Sequence, residues 1–393
     1  MRNGAFDRSC IPENSNGCEF SEPNPALAIL SQKLLHSPDV LDFERIRMLT
    51  HSNCRGALML RLRFLLGFSL LSLMLTCPPS NALAGQQLET LAVGYSSLAG
   101  HHTPMWIAVE DRIGRKYGID LKAIYAGRLR PQQLLMSGDV PIVVATGSGA
   151  LTSHVLGSKD QVIVAINMTK VGGGIFAKNE IRSAEDLRGK TIGVSRAGSI
   201  SEIVLRYVLR AKLGLQPDRD VKLLVVGDPA VGLQALERGI VDATPLTMPL
   251  PLMAAKMGFR ELVNYDALGI TFPANTVTTS RQTIGKRPEL IDSFLRILIE
   301  GIYVFKSNKP KSLAIMKKNL LGTSDEVLEE TYRYTTAVLE QQPYPSLDVI
   351  RSGLEILSLQ YPQAKQTDPN PLVDASFVKR IDQSGFIAAL YKN

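Results

Sequence analysis

Small polar residues cluster where an apolar, strand-like segment gives way to a helical one. The first cluster follows the apolar segment that ends at Tyr95. It contains Ser96, Ser97, His101, His102 and Thr103. Hydroxyls and imidazoles beside the free N–H groups of a helix start suit a polar or anionic head group. The alternative is that these Ser and Thr side chains only cap the helix that follows.

A second cluster consists of Thr146, Gly147, Ser148 and Gly149, which follow an apolar strand and begin a helix. Side chains this small would let a ligand approach the backbone closely. The arrangement is also typical of an ordinary tight connection between a strand and a helix. We nevertheless expect Thr146, Gly147 and Ser148 to contact a ligand.

A third cluster contains Gly198, Ser199 and Ser201, again between a predicted strand and a predicted helix. Gly198 frees the backbone, Ser199 can cap the helix, and the first N–H groups point outward. This is an arrangement that binds anions at helix starts. The alternative is a capped helix with nothing bound.

Single polar side chains end other predicted strands. Arg128 could hold a carboxylate or sulfonate with two hydrogen bonds, although a solvated surface arginine would look the same. Further candidates at strand ends are Asn167, Asp228 and Thr247.

Three signatures of other chemistry are nearly present but fail. Gly193–Ala197 is close to a nucleophile elbow, but that fold places its catalytic histidine after the serine, and the last histidine here is His154. Gly189–Thr191 ends like a phosphate loop, but a strand follows where a helix is required. His101 and His102 are adjacent and lack a partner at ligand spacing, so no metal is expected.

The elements that must position these residues alternate between strand and helix patterns, which predicts an α/β fold with largely parallel sheets. The predicted strands are Leu88–Tyr95, Asp120–Tyr125, Val140–Thr146, Gln161–Met168, Thr191–Ser195, Val221–Val226 and Val241–Pro245. The predicted helices between them are Met105–Tyr117, Pro131–Ser137, one from Gly149, Ser199–Leu213, Ala230–Arg238 and Leu250–Met257. Beyond Thr276 the pattern is mostly helical, and the predicted helices there are Pro288–Ser307, Lys311–Asn319, Asp325–Glu340, Leu347–Gln360 and Asp374–Leu390.

The segment Met59–Gly85 has the pattern of a secretory signal peptide. Arg61 and Arg63 precede an apolar run that is shorter than the roughly 20 residues of a spanning helix. Ala82-Leu83-Ala84 predicts cleavage before Gly85, and lipidation at Cys77 is the alternative. Residues 59–84 are therefore assigned to the signal peptide. Residues 1–58 form an unassigned extension, which suggests that translation starts at Met48 or Met59.

The positions of the cysteines and the net charge argue against several classes of function. All four cysteines precede the predicted cleavage site, so the exported chain has no disulfide, thiolate metal site or cysteine nucleophile. The formal net charge of +7 is spread along the chain, which argues against nucleic acid as a partner.

Several short motifs follow one another along the sequence in a characteristic order. Those in the first α/β block are Val93–Tyr95, Pro104–Ala108, Tyr117–Leu121 and Gln133–Val140. Those in the second α/β block are Asp186–Val194 and Gly239–Ala243. Together they resemble the nitrate/sulfonate/taurine-type solute-binding proteins of bacterial ABC importers. Pro141 departs from that pattern, because the family commonly has an acidic residue there.

The resemblance implies a periplasmic-binding-protein type II fold with a solute cleft between two lobes. Residues 85–176 with 277–393 would form the first lobe, and residues 177–276 the second. Two extended crossings near Val171–Lys178 and Phe272–Thr279 would join the lobes. Asn275, near the return crossing, would then reach the cleft.

The function implied by the resemblance is capture of a small polar or anionic organic solute in the periplasm. The solute would pass to ABC transporter permease subunits, and the protein would act as a monomer without a cofactor. Sulfonate, nitrate, aromatic carboxylate and pyrimidine remain open as solutes. The alternatives are a thiamine-pyrimidine-synthesis enzyme on the same fold and the sensing module of a membrane receptor. Export and the absence of cysteines argue against the enzyme.

Overall fold

The computed structural model describes residues 88–127, 131–195 and 198–392. The predicted extension, the signal peptide and Arg128 lie outside these residues. The described chain forms two mixed, five-stranded sheets with helices packed on them, as the sequence resemblance implied. Within these residues no helix is both long enough and apolar enough to span a membrane.

The first sheet has the strand order β2-β1-β3-β10-β4. Its strands are β1 (Glu89–Tyr95), β2 (Ile119–Tyr125), β3 (Ile142–Ala145), β4 (Gln161–Lys170) and β10 (Thr271–Ser280). Strand β1 runs parallel to β2 and β3, whereas β10 runs antiparallel to both of its neighbours, β3 and β4. The last strand of the chain therefore completes the first sheet.

The second sheet repeats this order as β7-β6-β8-β5-β9. Its strands are β5 (Gly174–Ala177), β6 (Thr191–Val194), β7 (Lys222–Val225), β8 (Ala243–Leu246) and β9 (Arg260–Asn264). Strand β5 runs antiparallel to β8 and β9, while β6 is parallel to β7 and β8. The prediction of largely parallel sheets was wrong for these inner strands, because a chain that crosses between sheets enters against their direction.

Helices α1 to α6 connect the strands, and α7 to α13 follow β10. The first six are α1 (Thr103–Glu110), α2 (Pro131–Ser137), α3 (Ser148–Val155), α4 (Ile200–Tyr207), α5 (Pro229–Glu237) and α6 (Leu250–Lys256). The others are α7 (Arg281–Lys286), α8 (Pro288–Ser307), α9 (Lys309–Asn319), α10 (Asp325–Val338), α11 (Leu347–Leu357), α12 (Ser376–Gln383) and α13 (Phe386–Leu390).

Several predicted helices are interrupted. Helix α1 ends at Glu110 and is followed by a short 3₁₀ segment, Ile113–Tyr117. Helix α4 continues as a π-helical turn over Val208–Lys212. The predicted last helix is divided at Gly385, whose φ of 76° is left-handed and stops α12 from continuing.

The two largest hydrophobic cores pack helices against the sheets. The long helix α8 and α1 pack on one face of the first sheet, where Ile107 and Phe294 are fully buried. The second core is continuous from the first sheet to the second, and α11 contacts both β10 and α4. Packing at this junction therefore involves a helix close to the end of the chain.

Two segments of chain link the sheets. The outgoing one, between Lys170 and Gly174, contains Gly172 and Gly173 with left-handed φ values of 64° and 86°. The returning one leads into Thr271. The predicted lobe boundary after 176 falls within β5, and the one after 276 falls within β10, so the strand limits set each crossing a few residues earlier.

Candidate ligand-binding cleft

A cavity of about 410 Å³ opens between the two sheets. It lies at the carboxyl ends of β1, β3, β6 and β8, and both sheets contribute to its wall. This is the edge at which open α/β sheets bind small molecules, and the volume lies within the range of such pockets.

The structure brings most of the predicted site residues together in this cleft. Those that line it are Ser96, Ser97, His101, Thr146, Ser148, Gly198, Ser199, Ser201 and Thr247. Four others do not line it: Thr103, Gly147, Asn167 and Asn275 are buried behind its wall.

The two histidines of the first cluster have different positions. His101 lines the cleft, whereas His102 is buried beneath it, and their ring centroids are 4.4 Å apart. Burial lowers the pKa of His101 to about 4. Burial, followed by the proximity of His101, lowers the pKa of His102 well below its usual range. Both imidazoles are therefore neutral at pH 7, and His101 offers a ligand one donor and one acceptor.

The glycines of the second cluster serve protein contacts. A Cβ on Gly149 would lie 2.3 Å from Cδ of Gln132, and one on Gly147 would lie 2.9 Å from the ring of Pro273. Gln132 also donates a hydrogen bond to the carbonyl of Thr146 over 3.4 Å. The small side chains thus admit Gln132 and β10, where the sequence suggested the approach of a ligand.

The third cluster is a capping box at the start of α4. Oγ of Ser199 accepts a hydrogen bond from the N–H of Glu202 over 3.4 Å. In return, the Glu202 carboxylate accepts one from the N–H of Gly198 over 2.7 Å, and it pairs with Nε of Arg206 at 2.6 Å. The Gly198 N–H is therefore already used, and a carboxylate lies where the sequence suggested an anion.

Asn167 and Asn275 are buried on the neighbouring strands β4 and β10 of the first sheet. Asn275 lies opposite Met168, and the register shift beside it leaves Asn167 next to the same point. Both side chains are completely buried, and their amide nitrogen and oxygen atoms have no hydrogen-bond partner. These residues thus reach the neighbourhood of the cleft, but Met168 and Ala274 form its surface there.

The sequence did not single out several residues that line the cleft. They are Gln132, Met136, Thr152, Ser153, Leu156, Ser195, Tyr334 and Thr335. Ser195 could have been found, because it ends a predicted strand directly before the third cluster. Tyr334 and Thr335 could not, because they lie in a helix far along the chain and no local motif marks them.

Apolar side chains form a large part of the wall. Met136 and Leu156 are 64% and 62% exposed at its rim, and Met168, Val171 and Ile200 lie further in. Asp228 is the one side chain among the described lining residues that is charged at pH 7, and it makes no capping hydrogen bond to α5. Within the described chain, no group of three acidic, histidine or cysteine residues could hold a metal ion. The cleft therefore suits an organic molecule with an apolar body and a few polar atoms.

Known proteins share this sequence pattern and fold. A protein of Brucella abortus (strain 2308), named only as a candidate binding protein, is 27% identical over 265 residues, which are 64% of this chain and 78% of that protein. The alkanesulfonate-binding protein SsuA from Xanthomonas axonopodis pv. citri, solved with MOPS bound, has a similar structure. It superimposes with a TM-score of 0.60 at 21% identity, covering 73% of this chain and 99% of its own.

An enzyme also shares the fold. The desulfurization enzyme DSZB superimposes with a TM-score of 0.57 at 16% identity, covering 75% of this chain and 99% of its own. Identities this low show the fold alone. The fold is that of periplasmic binding proteins. Residues 100–311 match the family model described as NMT1/THI5 like. The chain is therefore a member of the NMT1/THI5-like family.

Proposed function

We propose that this protein is an exported receptor that captures a small organic solute and delivers it to the permease of an ABC transporter. One observation carries the proposal: a single cleft is lined by strand ends from both sheets. A solute held there contacts both lobes at once. It therefore favours a closed arrangement of the lobes, and this preference is what a permease could recognise.

Contacts at the crossing support a hinge in this position. Tyr334 lines the cleft, and its hydroxyl donates a hydrogen bond over 3.3 Å to Asp266, in the turn before β10. The same hydroxyl packs so closely on Gly172 that a Cβ added to this glycine would lie 2.0 Å from it. A cleft residue of the first lobe therefore touches both crossings, which couples occupancy of the cleft to the crossing geometry.

The enzyme alternative would need a reactive pair in the cleft. Ser96 and His102 come nearest to one, with Oγ and Nε2 3.5 Å apart. The remaining ring nitrogen of His102 has no partner, so no carboxylate orients the imidazole as in a catalytic triad. This geometry favours a receptor, and the Ser, Thr and His side chains serve as ligand contacts.

The proposal includes the periplasm as location, a permease as partner, and action as a monomer without a cofactor. A structure described as the ligand-binding component of an ABC-type import system from Staphylococcus aureus shares this fold, which supports the partner. Residues proposed to contact the solute are those that line the cleft, together with Arg128.

Thermal unfolding of purified residues 85–393 against small solutes tests the proposal. The panel contains benzoate, benzamide, benzenesulfonate, nicotinate, taurine and MOPS. A solute present at about 100 times its dissociation constant should stabilise the protein by roughly 2.7 kcal/mol, which raises Tm by several degrees. A shift with one chemical class supports the receptor. A cooperative transition that no member shifts would overturn the proposal of an organic-solute receptor.

A further inference from the structure

Three serine hydroxyls form a chain on the second-lobe wall of the cleft. Oγ of Ser199 lies 3.0 Å from Oγ of Ser201, which in turn donates a hydrogen bond to Oγ of Ser195 over 3.1 Å. All three line the cleft. Ser199 and Ser201 belong to the start of α4, and Ser195 directly follows β6.

The direction of this chain follows from counting protons. A serine hydroxyl has one proton to donate, and that of Ser201 goes to Ser195. The bond between Ser199 and Ser201 must therefore be donated by Ser199. Ser199 at the same time accepts from the N–H of Glu202. Of the three serine hydroxyls, only that of Ser195 then has a proton that is not used in a hydrogen bond to another serine.

We propose that Ser195 donates this remaining proton to an acceptor oxygen of the solute and is a specificity-determining residue of the second lobe. This inference rests on the proposed receptor function. Successive hydroxyl bonds polarise one another, so the terminal hydroxyl is a better donor than an isolated serine. The cap at Ser199 fixes the start of the chain, and the end of β6 fixes its other end.

The capping box explains why recognition passes through a hydroxyl. Glu202 already accepts the N–H of Gly198, which an anion would otherwise use. Ile200 and Met248 line the same wall, so the polar contact is set among apolar surface. The solute class is an organic molecule with an oxygen acceptor beside an apolar body. Carboxylate, sulfonate and carboxamide oxygens share this chemistry.

The test compares variants of the full mature chain by titration calorimetry, using the panel member that most stabilises the wild type. Ser195→Ala should weaken binding about tenfold, and Ser195→Thr should stay within twofold because it keeps the hydroxyl. Ser195→Cys keeps the size with a weak donor and should also lose affinity, which reports on the hydroxyl even where the Ala variant unfolds. Ser201→Ala should weaken binding less than Ser195→Ala, because only the polarisation is lost. Ser384→Ala, outside the cleft, is the matched control.

The outcomes separate the inference from the function on which it rests. Binding by the wild type with Ser195→Ala and Ser195→Cys within twofold overturns the role of Ser195 and leaves the receptor standing. Failure of every panel member to stabilise the wild type overturns the receptor itself. Comparing benzoate, benzenesulfonate and benzamide in the wild type then shows which acceptor Ser195 serves.

Discussion

Glu202 accepts a hydrogen bond from the backbone N–H of Gly198 over 2.7 Å, at the start of the helix that faces the cleft. A buried carboxylate therefore occupies the position that the dipole of α4 would offer to an external anion. Arg206 balances that carboxylate on its other side. The start of α4 is thus occupied by the protein's own carboxylate, which disfavours a second negative charge at this point.

The variant Glu202→Gln tests this electrostatic role. The free energy of unfolding should fall by about 1 kcal/mol, because the charge-assisted bond to Arg206 becomes neutral. Affinity for benzoate should rise severalfold relative to benzamide, since a neighbouring negative charge is removed. Calorimetry with both solutes measures the ratio. Glu355→Gln, exposed and outside the cleft, changes the net charge equally, and an identical ratio in both variants would contradict the prediction.

The neutral histidines predict a pH dependence of stability. The pKa of His101 is about 4 in the folded protein, below the ordinary value of 6.5. Between these values the unfolded chain binds more protons, so stability is fully present above about pH 6.5 and is lost as the pH falls toward 4. The free energy of unfolding, measured with urea, should fall between pH 7 and pH 5 in both proteins. The fall should be about 1 kcal/mol smaller in His101→Gln than in the wild type. Equal losses would mean that His101 titrates normally.

Replacing Asn275 with an apolar residue should stabilise the folded protein, because the side-chain amide of Asn275 is buried without a hydrogen-bond partner. Asn275→Leu replaces a buried amide, which has no hydrogen-bond partner, with an apolar group of similar size. We expect the free energy of unfolding to rise by about 1 kcal/mol. Asn264→Leu is the control, because its amide donates to Glu261 and accepts from the N–H of Ala267, and it should destabilise. Destabilisation by Asn275→Leu, measured by urea titration, would reveal a polar contact.

A side chain on Gly149 should displace the buried side chain of Gln132. A Cβ there would lie 2.3 Å from Cδ of Gln132, so Gly149→Ala should destabilise by about 1 kcal/mol, because the Gln132 amide must move away from the carbonyl of Thr146. Gly285→Ala, in helix α7, meets nothing within 4 Å and should stabilise by about 0.5–1 kcal/mol. Thermal unfolding of both variants gives the comparison. Similar Tm values would show that Gln132 moves freely.

Local patterns predicted strands β1–β4 and β6–β8 and most helices well. Pro131–Ser137 and Pro288–Ser307 have the predicted limits, because proline starts each helix and the apolar period continues to its end. Strand β9 (Arg260–Asn264) was missed, since it is short, lies at a sheet edge and carries two charged residues. Its pairing with β5 depends on residues more than 80 positions away, which no local pattern contains.

The site was predictable only in part for the same reason. The small polar residues that follow strands β1, β3 and β6 were recognisable in the sequence, and the structure brings them together in the cleft. Ser199 and Glu202 have the spacing of a capping box, which predicts a bond from the N–H of Ser199 to the Glu202 carboxylate, whereas the structure shows that bond coming from the N–H of Gly198. Tyr334 and Thr335 reach the cleft only because α10 packs beside the first crossing.

The position of β10 has a consequence for biosynthesis. This strand lies between β3 and β4, so these two earlier strands have no direct pairing with each other. Until residue 280 has left the ribosome, the first sheet stays in two pieces, and β4 lacks its neighbour. Joining them closes a loop of about 100 residues, a slow, non-local step. The first sheet can therefore be completed only after more than two thirds of the chain has been synthesised.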